Sequence, residues 1–300
     1  MTAEPLANCW CGGTMAATPV KTATFRLVRC ASCGTYMIDP PPITAPEQSG
    51  EFYSAYYAGR APRDAPAAAN ARLSRFWRVV EQAPELGTPI RTVIDFGSGD
   101  GQLCGELAKS GWTNVVGLDL SRTRIEEARR RFPAVRFYDR PIQDTDLTPG
   151  MADLCVMDNV IEHLVDPADT LAGLKTYLRS SGTIVVITPN MESGQFRFLG
   201  KRWTPELAPH AHIFLFTAAS LRRALERAGF VVETVGTFQD EPYPLRRWLG
   251  RIWAGDIKGA AWRAHQELGA LYARWTGAGP MLYAIARAMA SPSPPRDATC

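Results

Sequence analysis

The sequence predicts an α/β fold: a parallel sheet with helices on both faces, preceded by a small cysteine module. Three observations carry that prediction. Apolar runs at residues 92–96, 114–121, 152–159 and 182–190 alternate with helical patterns, the rhythm of strand–helix–strand crossovers. The first run ends in the glycine loop Asp95-Phe-Gly97-Ser-Gly99-Asp-Gly101, at the strand end where open α/β sheets place their ligands. Four of the seven cysteines fall within residues 9–34, as Cys9-x-Cys11 and Cys30-x-x-Cys33.

Composition sets the bounds. The 300 residues are 46% apolar and 21% charged, the balance of an ordinary globular chain. A net charge of +3 is too small to imply nucleic acid, although the last sixty residues hold eight Lys/Arg against four Asp/Glu. No apolar run approaches the ~18–20 residues a membrane span needs, so no stable membrane insertion is expected. The opening MTAEPLANCW lacks the basic and apolar blocks of a signal peptide. The expectation is a cytoplasmic location, where paired thiols more often hold metal than form disulfides.

In chain order, the cysteine module comes first. Glycine follows each Cys pair, letting backbone amides turn toward thiolate sulfurs. Residues 20–30 alternate as a strand does, and residues 35–42 leave the second pair as another. Two such knuckles make a zinc ribbon, with Cys9, Cys11, Cys30 and Cys33 as four thiolate ligands of a closed, structural site. The short Cys9-x-Cys11 pair leaves a metal-free ribbon as the alternative. Residues 39–50 form a proline-rich linker, and residues 67–82 carry Leu73, Phe76, Trp77 and Val80 at helical spacing. Tyr53, Tyr56 and Tyr57 either close over a ligand or pack against that helix.

The core follows. Helices are expected at 102–111, 122–132, 167–180 and 217–230, and further strands at 135–139, 231–238 and 281–288. Asp119 ends the second core strand, 20 residues after Gly99, where a carboxylate can take both ribose hydroxyls of a nucleoside ligand. The glycine spacing is G-x-G-x-G, with Gln102 where a dinucleotide fingerprint has its third glycine. A largely helical insertion is expected at 240–278, with Leu245, Trp248, Leu249, Ile252 and Trp253 on one stripe and Arg246, Arg247 and Arg251 off it. That helix packs on its own domain, or serves as a lid, a homodimer contact or a membrane-facing surface. The tail 291–300 reads as disordered. The domain boundaries are 1–45 for the cysteine module, 46–90 for the lead-in, 91–240 for the core, and 241–300 for the insertion, last strand and tail.

VIDFGSGDG, VVGLDLS, NVIEHLVDP and GTIVVITPN resemble the successive motifs of class I S-adenosylmethionine-dependent methyltransferases over residues 92–190. Residues 209–230 resemble the segment that follows in the subgroup acting on small metabolites. The resemblance implies a Rossmann-like seven-stranded sheet whose last strand is antiparallel, with 281–288 inserted beside 231–238. It implies that Asp95 anchors the network around the cofactor's amine. Gly97, Ser98, Gly99 and Gly101 give the backbone its close approach, Asp119 with Leu120 holds the ribose, and Asn159 lines the same strand ends. Arg140 and Pro141 stand where the family often contacts adenine, which leaves that contact to the backbone of Ile142 or to Gln143.

For chemistry, His163 is the first candidate base, with bracing of its loop as the structural alternative. His210 and His212 alternate around Ala211, which would point both to one side of an extended segment. They read as a gate over the substrate mouth, with a catalytic role for His212 as the sharper version. Ubiquinone-type O-methyltransferases carry Glu-x-x-Glu-His here, thought to hold a divalent metal. This chain reads Asn159-x-x-Glu162-His163, so no hard-cation site is expected. Cys104 and Cys155 read as buried hydrophobes.

The expected activity is methyl transfer from S-adenosylmethionine to oxygen, or else carbon or nitrogen, of a small-molecule acceptor. By resemblance alone a sugar or glycan precursor is favoured. The alternatives are a ribosomal RNA base methyltransferase gripping RNA with the zinc module, and an inactive cofactor-binding partner protein. Residues 9–38 offer only Lys21, Arg26 and Arg29, which speaks against nucleic acid.

Overall fold

A computed structural model describes residues 8–57, 66–83, 92–200, 207–238 and 257–289. The cysteine module is a meander of β1 (Met15–Lys21), β2 (Arg26–Cys30) and β3 (Tyr36–Asp39), all antiparallel. The single strand expected over 20–30 is thus broken. Residues 22–25 reverse the chain, because Thr22 Oγ1 donates to Phe25 O and accepts from Phe25 N–H, both at 3.1 Å. After the linker come α1 (Ser49–Tyr57) and α2 (Pro66–Glu81).

The core alternates as expected: β4 (Thr92–Phe96), α3 (Gln102–Lys109), β5 (Asn114–Leu118), α4 (Arg122–Arg131), β6 (Arg136–Tyr138), β7 (Ala152–Asp158), α5 (Pro167–Tyr177) and β8 (Leu178–Pro189). Helix α5 stops short of the expected 180, because Leu178 already pairs with Ala152 as the first residue of β8. Then follow α6 (Gly194–Leu199), β9 (Phe214–Leu215), α7 (Ala218–Arg227), β10 (Phe230–Phe238), α8 (Ile257–Thr276) and β11 (Met281–Ala288). Thr217 caps α7 by accepting from Ser220 N–H at 3.1 Å, while Ser220 Oγ accepts from Thr217 N–H at 2.9 Å.

Seven strands form one sheet in the order β10-β11-β8-β7-β4-β5-β6, with β11 antiparallel to both neighbours. Both faces are buried. Ile94, Val116, Cys155, Met157, Ile184 and Val186 pack on one side. Their strand neighbours Val93, Val115, Leu154, Val156, Val185 and Ile187 pack on the other. This is why the core strands read as unbroken apolar runs rather than alternations. A smaller sheet, β1-β2-β3-β9, draws its fourth strand from the segment between β8 and β10. No helix among the described residues is long and apolar enough to cross a membrane. The stripe from Leu245 to Trp253 with its arginines, and the tail, lie outside the described residues.

Candidate active site

Strands β4, β5, β7 and β8 are parallel, so their carboxyl ends open onto one rim. The glycine loop lies there. Gly97 has φ 80°, and a Cβ on it would meet Val160 Cγ2 at 2.2 Å, so that position accepts no side chain. Gly99 has φ 57° and open space where its Cβ would be, a gap that leaves the backbone accessible to a ligand. Asp119 faces this loop: its Oδ2 accepts from Gly99 N–H at 2.9 Å and its Oδ1 from Ser121 N–H at 2.8 Å. Those bonds fix the carboxylate at the end of β5. Asp95 and Ser98 are fully buried under the loop, and Cys104 Sγ lies 3.4 Å from Asp95 Oδ2. Leu120 is half-buried beside Asp119. Ile142 is buried, with Tyr177 OH donating to its carbonyl at 3.3 Å, while Gln143 and Arg140 are exposed.

Asn159 ends β7 in the left-handed region, φ 56°, a conformation Asn tolerates better than most residues. Its Nδ2 donates to Asp158 Oδ1 at 3.1 Å. Asp158 is the carboxylate that the sequence reading missed, together with its partner Arg75 on α2. Arg75 Nη2 donates to both Asp158 oxygens, at 3.3 and 3.2 Å, and the Asp158 side chain has no exposed surface. One sequence signal existed. Val79, one turn beyond Arg75, is apolar although it lies off the Leu73–Val80 stripe, and it is fully buried. The fully buried residues Phe76 and Val79 turn the covered face of α2 from the expected stripe toward Arg75, and an arginine beside such a face needs a partner.

Beside this pair three side chains converge. Glu162, His163 and His212 each bring a carboxylate oxygen or ring nitrogen within 4.8 Å of the others. One carboxylate and two imidazoles are not the set of oxygens a hard cation takes. His163 Nδ1 lies 3.0 Å from Ala211 O. A carbonyl can only accept, so Nδ1 carries the proton and Nε2 keeps the lone pair. Burial lowers the His163 pKa to about 4, so the ring is neutral at physiological pH. Burial, with the charge of Asp158 adding to it, raises that of Glu162 to about 8. The Glu162 carboxyl accepts from Thr188 Oγ1 at 2.9 Å, and its other oxygen is 4.0 Å from His212 Nε2.

The expected same-side pair His210 and His212 is not formed. Residues 208–212 make a turn, with Ala211 N–H and His212 N–H both bonded to Ala208 O, at 2.8 and 2.9 Å. That turn sends His212 inward, 4.7 Å between ring centroids from His163, and leaves His210 outside against Tyr56. Tyr56 OH is 3.2 Å from His210 Nε2, and Tyr53 OH donates to Ala211 O at 3.2 Å and His163 O at 3.4 Å. The tyrosines of α1 thus cover the histidine cluster. Arg122 N–H donates to Ser54 Oγ at 3.3 Å, which brings α1 across the end of β5 as well. The side chain of Tyr57 lies outside the described residues.

Away from this rim, Cys9, Cys11, Cys30 and Cys33 bring their sulfurs within 4.8 Å of one another, with Cys9–Cys33 and Cys11–Cys30 each at 3.5 Å. Four thiolates around zinc sit about 3.8 Å apart, given a Zn–S bond of about 2.3 Å and tetrahedral angles. Gly13 N–H points at Cys11 Sγ (3.4 Å) and Cys33 N–H at Cys30 Sγ (3.5 Å), the amides that stabilise bound thiolates. The hydrogen bond from Cys9 draws the Cys33 thiol well below its ordinary range and holds Cys9 above it.

Residues 61–235 match the family model described as a methyltransferase domain. A probable S-adenosylmethionine-dependent methyltransferase of Mycolicibacterium smegmatis is 34% identical over 152 residues, 49% of this chain and 55% of that protein. The chain therefore spans about half the length of that relative. A ubiquinone biosynthesis O-methyltransferase of Aeromonas salmonicida is 24% identical over 171 residues, 54% of this chain and 71% of that protein. Among solved structures, a putative methyltransferase in complex with the Haloferax volcanii Trm112 methyltransferase activator superposes with a TM-score of 0.56. It shares 19% identity and covers 80% of this chain and 98% of its own, a likeness of fold.

Proposed function

This chain belongs to the methyltransferase-domain family as a class I S-adenosylmethionine-dependent enzyme, and from that premise we propose that its acceptor is a small molecule methylated on oxygen. The observation that carries the proposal is His163: a neutral imidazole with Nδ1 tied to Ala211 O, under the tyrosines of α1 and on the turn whose Val160 packs against Gly97 of the glycine loop. A ring so held can take a proton on Nε2 from an acceptor hydroxyl as the new bond to carbon forms. The cofactor supplies a methyl group already activated on a sulfonium, so the chain's remaining work is alignment.

In this reading Gly97, Gly99 and Gly101 admit the cofactor, Asp119 with Leu120 holds the ribose, and Ile142 borders the adenine. Asp95 and Asn159 flank the amino-acid end. Asp119→Ala should weaken S-adenosylhomocysteine binding by about tenfold or more, the loss of a charge-assisted hydrogen-bond pair. Isothermal titration measures this, and an unchanged Kd would remove the ribose assignment.

The cysteine set fits a closed structural zinc site, held by Cys9, Cys11, Cys30 and Cys33 and contributing folding energy rather than chemistry. Purified protein should then carry about one zinc per chain by metal analysis. A folded chain that neither carries nor takes up zinc would leave the ribbon metal-free.

An RNA acceptor is disfavoured by how the ribbon spends its cations: Arg26 pairs with Asp39, and Arg29 lies over the Tyr36 ring at 5.3 Å. The deciding experiment incubates the protein and methyl-labelled S-adenosylmethionine with a cell extract, fractionated by size with and without ribonuclease. Label in small, ribonuclease-insensitive material is expected. Label in large, ribonuclease-sensitive material would make the acceptor RNA.

A further inference from the structure

Three sets of contacts join the cysteine module to the segment that carries Ala211. Strand β3 pairs with β9, Tyr36 opposite Leu215 and Met37 opposite Phe214, and Ile38 N–H extends the pairing to Ile213 O at 3.0 Å. Ile213 N–H then donates to Glu162 O at 2.8 Å, pinning residues 211–215 between the module and the turn that bears His163. From α7, Arg227 Nη1 donates to Cys11 O at 3.1 Å and Arg223 donates to Ser32 O, one arginine on each knuckle. Beneath them Cys9, Cys30, Cys33 and Met37 share one apolar cluster with Ile161, Ile213, Phe214 and Phe216. A two-residue strand has little hold of its own, and β9 gains its register from β3 on one side and from the Phe216–Asn190 bridge beyond it.

We infer that the cysteine module is a positioning element for the methyl-transfer site: by holding β9 in register it fixes the Ala211 carbonyl that orients His163. The inference rests on the proposed role of His163. It assigns the module work inside the enzyme rather than as a grip on a partner. The hydrogen bond at Nδ1 selects which ring nitrogen carries the lone pair, so a carbonyl that wanders frees the ring to rotate and change tautomer. Displacements of about 1 Å in such a group can cost about a hundredfold in rate. The glycine loop and Asp119 are held by contacts within the core sheet's rim. Loosening the module therefore separates cofactor affinity, which persists, from the orientation of His163, which does not.

The test uses the full chain labelled with ¹⁵N-histidine. Four histidines give a simple spectrum, and loss of one signal in His163→Gln assigns the ring. Two variants are compared with the parent: Cys30→Ser/Cys33→Ser, which removes half the thiols, and Arg223→Ala/Arg227→Ala, which keeps all four and cuts the α7 tethers. In both, the His163 Nδ1–H should exchange with solvent about tenfold faster or more, and its ring nitrogens should move toward a tautomer mixture. The Kd for S-adenosylhomocysteine should stay within about twofold, while methyl transfer to the labelled extract fraction falls about tenfold. If the cysteine variant does not fold, the arginine variant decides. Unchanged His163 signals in the folded variants overturn the inference. Full turnover in His163→Ala would instead remove the base assignment, while the His163 ring signals of the two module variants would still report that the module positions it.

Discussion

Replacing Arg75 with methionine should cost about 3 kcal/mol of folding stability, the lower part of the range for removing one partner of a buried ion pair. Asp158 lies at the end of a central strand with no exposed surface, and Arg75 is the cation on both its oxygens. Methionine keeps the length and the apolar packing of the arginine stem but leaves the carboxylate with the Asn159 amide among its described partners. Arg75 keeps 23% of its side-chain surface exposed, so water can approach the carboxylate in its place and the upper part of the range is not expected. The double variant Arg75→Met/Asp158→Asn should recover most of the loss, since removing both charges removes the desolvation penalty with the attraction. Chemical denaturation of the four members of this cycle measures the coupling. A single variant within about 0.5 kcal/mol of the parent would mean that the pair is not a structural charge in solution.

Arg75 also shows where sequence reading stops. The core sheet was legible because both its faces are buried: neighbours such as Val93 and Ile94 pack on opposite sides, so each strand prints as an apolar run between helical patterns. The glycine loop and Asp119 were legible because spacing along two adjacent parallel strands maps directly onto space. Arg75 and Asp158 are 83 residues apart and come from elements with no local signature for pairing. The Thr22–Phe25 reversal was hidden because a threonine hydroxyl makes the turn, where the expected signs are glycine, asparagine or proline. His210 and His212 were misread for the same reason. Alternation gives sidedness only on extended backbone, and Ala208, with φ 32°, turns that segment instead. The pairing of the cysteine module with β9 joins segments separated in the chain by β4 to β8, and no local pattern announces it.

The histidine cluster makes its own prediction about pH. Glu162 ionises in the folded protein at about 8 rather than 4.5, because burial and the neighbouring Asp158 charge both oppose its carboxylate. Between those values the folded chain holds a proton that the unfolded chain has released, so stability falls as pH rises, by up to about 1.4 kcal/mol per unit. His163 acts the other way: its pKa drops from 6.5 to about 4, so the unfolded chain binds the extra proton and stability rises with pH across that interval. The two contributions oppose each other between 4.5 and 6.5 and nearly cancel, leaving a decline between 6.5 and 8 that belongs to Glu162. Glu162→Gln should therefore abolish the alkaline decline and uncover the acid-side rise of His163. The glutamine carbonyl can still accept from Thr188, so the fold has no reason to change. Unfolding free energies of parent and variant across this range, taken as a difference, cancel the titration of distant groups. Parallel curves for the two proteins would show that Glu162 is ionised at neutral pH, and that the carboxylate beside His163 is charged in the resting enzyme.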